Sequence, residues 1–201
     1  ALSFVRSPAD VDLVHEIMDE VGRRVPVIAK LEKPEAVDAL ESIVLAFDGI
    51  MIARGDLGVE VPLEEVPLFQ KRAIQIAREN AKPVIVATQM LDSMIDNSRP
   101  TRAEASDVAN AVLDGADAVM LSGETSVGVN PQHTVRTMAR IVREAEHGGS
   151  VPPLAHIPRT KRGVISFSAR DIAERLNARA LVAFTTSGDT ARRLARLHSH
   201  L

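Results

Sequence analysis

The 201-residue sequence contains no cysteine, no tryptophan and no tyrosine. Without cysteine the chain forms no disulfide and offers no thiolate ligand to a metal. Its only aromatic residues are five phenylalanines, which argues against a surface that stacks nucleobases on aromatic rings. No apolar run approaches the roughly 20 residues that span a bilayer. We therefore expect no nucleic-acid partner and no membrane partner.

Excess charge of one sign is also lacking, since the formal net charge is -3 and like charges form only short runs. Such a balance gives no indication of binding to nucleic acid or to a membrane surface. Residues 1–6 lack the basic and long apolar regions of a signal peptide. A cytoplasmic location is the expectation.

Short apolar runs alternate with amphipathic stretches along the first three quarters of the chain. The runs are residues 25–29, 49–53, 83–87 and 116–121. Each is nearly continuous and is bounded by turn formers, which is typical of a parallel strand covered on both faces. Residues 2–5 look like the end of an earlier strand. The pattern predicts a parallel α/β fold with five β-α units.

Apolar spacings of three and four residues predict the helices between these runs. The periodic stretches are residues 11–21, 34–44 and 69–77. Thr101–Glu104 forms a capping box, which predicts a helix that runs to about Leu113. Asn130-Pro131 predicts the start of another helix. Its buried stripe would contain Val135, Met138 and Val142.

A Gly-Gly-Ser-Val-Pro-Pro segment at residues 148–153 interrupts the pattern and predicts a domain boundary. The predicted units are residues 1–147, a linker at 148–159, and a second unit at 160–201. In the second unit the pattern predicts a helix, a strand and a helix at residues 160–176, 180–184 and 189–198. One strand and two helices cannot bury a core of their own.

Polar residue types with catalytic potential follow each apolar run of the first unit. Lys30 and Glu32 end the first run, and their two-residue spacing places them on one face of a strand. The later runs are followed by Arg54-Gly55-Asp56, Thr88-Gln89 and Ser122-Gly123-Glu124-Thr125. In a β/α barrel, the carboxyl ends of the strands form the rim that carries catalytic groups.

Glu32 and Asp56 are the candidate metal ligands. One or two carboxylates, completed by substrate oxygens and waters, are the usual protein ligands of Mg2+. Lys30 would be a fixed cation beside that ion, and the set suits stabilisation of a phosphoryl group or an enolate. The alternative reading is a buried Lys–Glu ion pair at the end of a strand.

The remaining candidates have equally simple structural alternatives. Backbone N–H groups at Gly55 and Asp56 could bind a substrate carboxylate at a helix start, or form an ordinary βα turn. Thr88 could contact substrate, or simply end a strand. A hydroxyl-rich loop before the last helix could hold a phosphate or cap that helix. Its candidate residues are Thr185, Thr186, Ser187, Gly188 and Thr190.

Several segments together resemble one known family. They are Ile28-Ala29-Lys30-Leu31-Glu32, residues 50–60, Ala87-Thr88-Gln89-Met90-Leu91, residues 99–112 and Met120-Leu121-Ser122-Gly123-Glu124-Thr125. In order and spacing, nearly all of residues 1–147 resembles pyruvate kinase, and Glu32-Lys33-Pro34-Glu35 resembles its bacterial form. From residue 160 onward the chain resembles the start of the family's C-terminal regulatory domain.

The resemblance implies the last five βα units of a TIM (β/α)8 barrel followed by part of an α/β regulatory domain. It implies glycolytic phosphoryl transfer from phosphoenolpyruvate to ADP, giving pyruvate and ATP. Mg2+, or Mn2+, would be bound by Glu32 and Asp56, and Lys30 would stabilise the phosphoryl group and the enolate. Gly55, Asp56 and Thr88 would hold the substrate, and Thr88 would help organise enolate protonation.

The resemblance further implies an allosteric homotetramer whose effector, a sugar phosphate or a nucleotide, binds at residues 185–190. The family's first three barrel strands, with a phosphate-binding arginine and the K+ ligands, have no counterpart here, and Asn130-Pro131 replaces its usual Tyr-Pro. We therefore expect the isolated chain to be inactive. The alternatives are a Mg2+-dependent aldolase or lyase acting on pyruvate enolates, and a non-catalytic chain that binds an effector or a partner.

Overall fold

The computed structural model describes residues 1–156 and 158–199, and residues 157, 200 and 201 of the predicted linker and second unit lie outside this description. The described strands form one parallel sheet in the order β1-β2-β3-β4. They are β1 (Ile28–Leu31), β2 (Gly49–Ala53), β3 (Val84–Ala87) and β4 (Ala118–Met120). Before β1, Leu2 forms a single parallel bridge with Ala29. The predicted parallel α/β order is confirmed, with the first of the five expected strands reduced to this bridge.

Helices alternate with the strands. Those before β4 are α1 (Asp10–Val21), α2 (Pro34–Asp38), α3 (Leu40–Ala46), α4 (Arg54–Glu60), α5 (Val66–Glu79) and α6 (Arg102–Asp114). Those after β4 are α7 (Gly123–Ser126), α8 (Pro131–Gly148), α9 (Lys161–Arg175) and α10 (Asp189–Ala195). Short 3-10 turns occupy Leu63–Glu65 and Asp92–Ile95. Within the described ranges, no helix is both long and apolar enough to cross a bilayer.

Local sequence signals account for the boundaries of α6 and α8. The Thr101 hydroxyl accepts the Glu104 N–H at 3.1 Å, and a Glu104 carboxylate oxygen accepts the Thr101 N–H at 2.7 Å, so the predicted capping box is present. Helix α6 ends at Asp114 and is followed by Gly115, whose φ of 98° favours glycine. At α8, the Asn130 side chain accepts the N–H of His133.

The hydrophobic core lies on the face of the sheet that the helices cover, because right-handed crossovers in the order β1-β2-β3-β4 place the helices on one face. All five residues of β2 are buried, as expected for a central parallel strand. Helices α3 and α5 contribute several apolar side chains to this core. Fully buried examples are Leu40, Ile43, Val44, Ala73, Ile74 and Ala77.

Two predicted features of the first unit are corrected. The helix expected over residues 34–44 is divided at Ala39, whose φ of -92° and ψ of 14° interrupt the helical turn between α2 and α3. On α8 the buried stripe is rotated relative to the prediction. Val135 is 51 % exposed, whereas Thr134 and Met138 are buried. Helix α8 packs against α6, and this packing buries Thr134 in place of the predicted Val135.

In the second unit, the helix predicted from Thr160 is confirmed as α9, whose first turn is capped by the Thr160 hydroxyl. The strand predicted over residues 180–184 is wrong, since these residues have no ladder partner and Phe184 is 95 % exposed. A strand requires a neighbouring strand for its backbone hydrogen bonds. Three large apolar residues along α9 are also exposed. They are Ile165, Ile172 and Leu176.

The end of α10 contacts the end of α5. Arg196 Nη1 donates to the carbonyl oxygen of Glu79 at 2.6 Å, and Arg78 Nε donates to the carbonyl oxygen of Arg196 at 3.4 Å. Burial lowers the pKa of both arginines. Because α5 leads into the amino end of β3, this contact lies at the edge of the sheet opposite the carboxyl ends of the strands.

Candidate active site at the carboxyl edge of the sheet

The parallel register brings the predicted rim residues to one edge of the sheet. Lys30 lies in β1 opposite Met51 of β2, and Glu32 directly follows β1. Arg54 begins α4 directly after β2, and Thr88 directly follows β3. The alignment follows from strand direction, because parallel neighbours end at the same edge.

Lys30 and Glu32 are in contact on one face of the sheet, as their spacing predicts. Lys30 Nζ lies 2.9 Å from Glu32 Oε2 and donates to Ser3 Oγ at 3.0 Å. The Lys30 side chain retains 25 % exposure, whereas that of Glu32 is 1 % exposed. A buried carboxylate therefore orients an ammonium group that still reaches solvent.

The two oxygens of Glu32 have different surroundings. Oε1 accepts the Phe4 N–H at 2.7 Å. Oε2 is buried, and among the described residues it has no donor in hydrogen-bond geometry, although Lys30 Nζ is close to it. Burial of a carboxylate oxygen without such a donor is unfavourable. Oε2 therefore keeps lone-pair capacity for a cation at the rim.

Asp56 and Gly55 lie in the first turn of α4, next to Thr88. Asp56 is exposed. The Gly55 N–H, predicted to bind substrate, donates to Thr88 Oγ1 at 2.7 Å, and that hydroxyl donates to the Ala87 carbonyl at 2.7 Å. Two groups expected to contact substrate are thus in contact with each other.

A second buried glutamate lies at the rim near β4. Glu124 is 1 % exposed. Its Oε1 accepts the Leu91 N–H at 3.1 Å and its Oε2 accepts the Ser122 N–H at 2.7 Å. Both oxygens are used to connect the segments after β3 and β4, so Glu124 has a structural role.

Three contacts at this edge were not anticipated from the sequence. Ser3 and Phe4 orient Lys30 and Glu32, and Arg54 donates to backbone carbonyls of the Thr88 turn. The sequence does indicate a place for Ser3 and Phe4 at this rim, because the pattern of residues 2–5 predicts the end of a parallel strand. No local signal marked the target of Arg54.

The predicted effector loop lies apart from this edge. The Gly188 N–H donates to Thr185 Oγ1 at 3.0 Å, and the Asp189 N–H donates to Ser187 Oγ at 3.4 Å. Thr186 and Thr190 are exposed. The loop hydroxyls thus support the turn that starts α10. The contact of Arg196, at the end of α10, with α5 lies at the opposite edge of the sheet.

Comparison with known proteins gives the same family for both parts of the chain. Residues 1–135 match the family model for the pyruvate kinase barrel domain, and residues 164–201 match the model for the pyruvate kinase alpha/beta domain. Over all 201 residues the chain is 89 % identical to a pyruvate kinase of Corynebacterium efficiens and 87 % identical to one of Corynebacterium glutamicum. It is 45 % identical, over 98 % of its length, to a pyruvate kinase of Thermotoga maritima.

A parallel sheet flanked by helices, with Lys30, Glu32 and Asp56 at its carboxyl edge, defines part of a β/α barrel of the kind that carries enzyme sites. The chain belongs to the pyruvate kinase family. The resemblance drawn from the sequence is therefore confirmed, as is the partial barrel followed by part of an α/β domain. The chain covers 42 % of the length of each of these three relatives.

Proposed function

We propose that the full-length protein is a glycolytic pyruvate kinase, transferring a phosphoryl group from phosphoenolpyruvate to ADP to give pyruvate and ATP. The observation that carries this proposal is the contact between Lys30 and buried Glu32 at the rim, with Asp56 after the neighbouring strand. The high identity to proteins named pyruvate kinase supports it.

Lys30 is the main electrostatic group of the proposed mechanism. Phosphoryl transfer concentrates negative charge on the transferred group and leaves an enolate, and fixed cations stabilise both. Ser3 and Glu32 hold the ammonium in place before substrate arrives, so little reorganisation is needed during the reaction. Its partial exposure gives substrate oxygens access to it.

Glu32 and Asp56 fit a hard divalent cation. Within the described residues no group of three or more His, Cys, Asp or Glu side chains is arranged to hold a metal. Mg2+ is commonly held by one or two carboxylates with substrate oxygens and waters, so buried Oε2 of Glu32 and exposed Asp56 suffice. Mg2+, or Mn2+ with similar ligands, would neutralise charge on the phosphate. We assign K+ no ligand in this chain.

Thr88 is the proposed substrate contact on the third strand. Its hydroxyl is fixed by the Gly55 N–H and the Ala87 carbonyl. The oxygen retains acceptor capacity for a water or a substrate group. We propose that Thr88, held by the Gly55 N–H, positions substrate beside the N–H group of Asp56, and helps organise protonation of the enolate.

We further propose a regulatory role for the second unit, with a division into residues 1–147 and 160–201 joined by a linker at 148–159. A sugar phosphate or nucleotide would bind at the loop of residues 185–190 in a homotetramer. Limited proteolysis should cleave within the linker. An effector that raises the melting temperature of the full-length protein, but not of its Thr185→Ala/Ser187→Ala variant, would support the loop assignment, and equal shifts would refute it.

A coupled assay on the full-length protein tests the proposed reaction. Pyruvate formation from phosphoenolpyruvate should require both ADP and a divalent cation, and ATP should form in equal amount. Removal of the cation with a chelator should abolish the rate, and added Mg2+ should restore it. Pyruvate release that is independent of nucleotide would contradict the proposal and favour a lyase.

A further inference from the structure

The turn after β3 contains two consecutive non-glycine residues in the left-handed region. Thr88 has a φ of 67° and Gln89 a φ of 52°. Such a conformation costs on the order of 1 kcal/mol per residue for a side chain with a Cβ. Threonine is β-branched and is among the least tolerant residue types. Surrounding contacts must therefore hold this turn.

Arg54 supplies those contacts from the start of α4. Its Nη2 donates to the Thr88 carbonyl at 2.9 Å and to the Gln89 carbonyl at 3.2 Å. One cationic NH2 group thus joins both carbonyls of the strained pair, and hydrogen bonds from charged donors are stronger than neutral ones. The Arg54 side chain is only 10 % exposed, so its contacts are largely shielded from water.

Asp107 fixes the guanidinium from the opposite side. Its Oδ2 accepts from Arg54 Nη1. Asp107 lies in α6, the helix whose start is defined by the capping box at Thr101. Pairing of Nη1 with the carboxylate leaves Nη2 aimed at the turn carbonyls, because the guanidinium is planar and rigid.

Arg54 and its neighbour in sequence hold Thr88 at two points. The Arg54 side chain binds the Thr88 carbonyl, and the adjacent Gly55 N–H binds the Thr88 hydroxyl. Since Arg54 and Gly55 are consecutive at the start of α4, the two contacts are geometrically coupled. Loss of the first would allow the turn to relax toward negative φ and would move the hydroxyl away from Gly55.

We propose that Arg54, held by Asp107, is a positioning residue that sets the Thr88 hydroxyl for catalysis, without contacting substrate itself. This inference rests on the proposed phosphotransferase function. It distinguishes Arg54 from Lys30, which is proposed to contact the phosphate. It also assigns a function to α6, a helix that contributes no residue to the proposed substrate or metal set.

A double-mutant cycle in the full-length protein tests the proposal. Arg54→Met should lower kcat by about 10- to 100-fold, the size of loss produced by a displaced catalytic group. Thr88→Val should lower kcat at least as much. The double variant should be no slower than Thr88→Val within about twofold, because residues that act through one another are not additive. Arg54→Lys should recover part of the loss.

A matched control is Arg24→Met, since Arg24 also pairs with an aspartate but is 57 % exposed. Its kcat should equal that of the unmodified protein. Should Arg54→Met fail to fold, Asp107→Asn is the second variant. It should lower kcat less than Arg54→Met does, and it should not lower kcat further when Thr88→Val is already present.

Additive losses from Arg54→Met and Thr88→Val, or an unchanged kcat in Arg54→Met, would overturn the inference. A crystal structure of folded Arg54→Met gives an independent readout, in which Thr88 and Gln89 should leave the left-handed region. Retention of both φ values would also overturn it. Absence of ADP-dependent turnover in the unmodified protein would instead refute the proposed function, and the crystal structure would still test the role of Arg54 in the turn.

Discussion

At the scale of single residues, the two buried glutamates of the rim provide a matched pair. Glu32 has one oxygen without a hydrogen-bond donor among the described residues, whereas both oxygens of Glu124 accept backbone N–H groups. Glu32→Gln should raise the Mg2+ concentration needed for half-maximal activity by about tenfold or more, since metal sites are sensitive to loss of a charged ligand. Magnesium titration of the full-length variant measures this.

The control is Glu124→Gln. It should leave the Mg2+ requirement unchanged and destabilise the fold by about 1–3 kcal/mol, because a buried amide cannot replace both acceptor oxygens. An unchanged Mg2+ requirement in Glu32→Gln would remove Glu32 from the proposed metal site.

Some contacts of the candidate site could be predicted from the sequence and others could not. The contact between Lys30 and Glu32 was predictable, because strand geometry places residues i and i+2 on one face. The contact between Thr88 and Gly55 was not, because it depends on left-handed φ values that neither Thr88 nor Gln89 favours. Long-range contacts, not local preference, hold that conformation.

At the scale of secondary-structure elements, the cap of α6 makes stability depend on pH. Burial alone would raise the pKa of Glu104, but the hydrogen bonds that it accepts from Ser93 and Thr101 outweigh burial and lower the pKa below its ordinary value of 4.5. A carboxylate with a lowered pKa in the folded state stabilises the fold above its unfolded pKa and loses that contribution as pH falls through the folded pKa.

The free energies of unfolding of the full-length protein and of its Glu104→Gln variant should therefore differ most near neutral pH. The difference should begin to shrink as pH falls below about 4.5 and be lost as pH falls through the lowered pKa of Glu104 in the folded state. Glu144→Gln, at an exposed position of α8, should show no such dependence. A stability difference for Glu104→Gln that grows toward acid would contradict the assignment.

Helix starts that depend on local sequence signals were predicted better than features that depend on contacts with neighbouring elements. The start of α6 followed from the capping box, and the start of α8 from Asn130-Pro131. The strand expected over residues 180–184 was wrong, because apolar character does not supply the partner strand that a ladder needs. The stripe on α8 was rotated because its packing against α6 selects Thr134 and not Val135.

At the scale of the whole molecule, the described sheet has open edges. Strand β1 has only the Leu2 bridge on its outer side, and β4 pairs only with β3 among the described strands. Exposed apolar residues of α1 include Leu13, Ile17 and Val21. Unpaired edges and apolar patches favour association with other chains.

The 201-residue chain on its own should therefore self-associate with rising concentration, as measured by light scattering. It should form no pyruvate from phosphoenolpyruvate and ADP in the presence of Mg2+ and K+, although Lys30, Glu32 and Asp56 are all present. The full-length protein under identical conditions is the control. A stable monomer with sustained turnover would show that these five units suffice.

The most direct test of the central claim is the activity of Lys30→Met in the full-length protein. Removal of the rim cation should lower kcat by about 100-fold or more, as expected for loss of a group that stabilises charge in the transition state. Lys71→Met, which removes an ammonium paired with Asp114 on the helical surface, should have no effect. Activity of Lys30→Met within about tenfold of the unmodified protein would contradict the account.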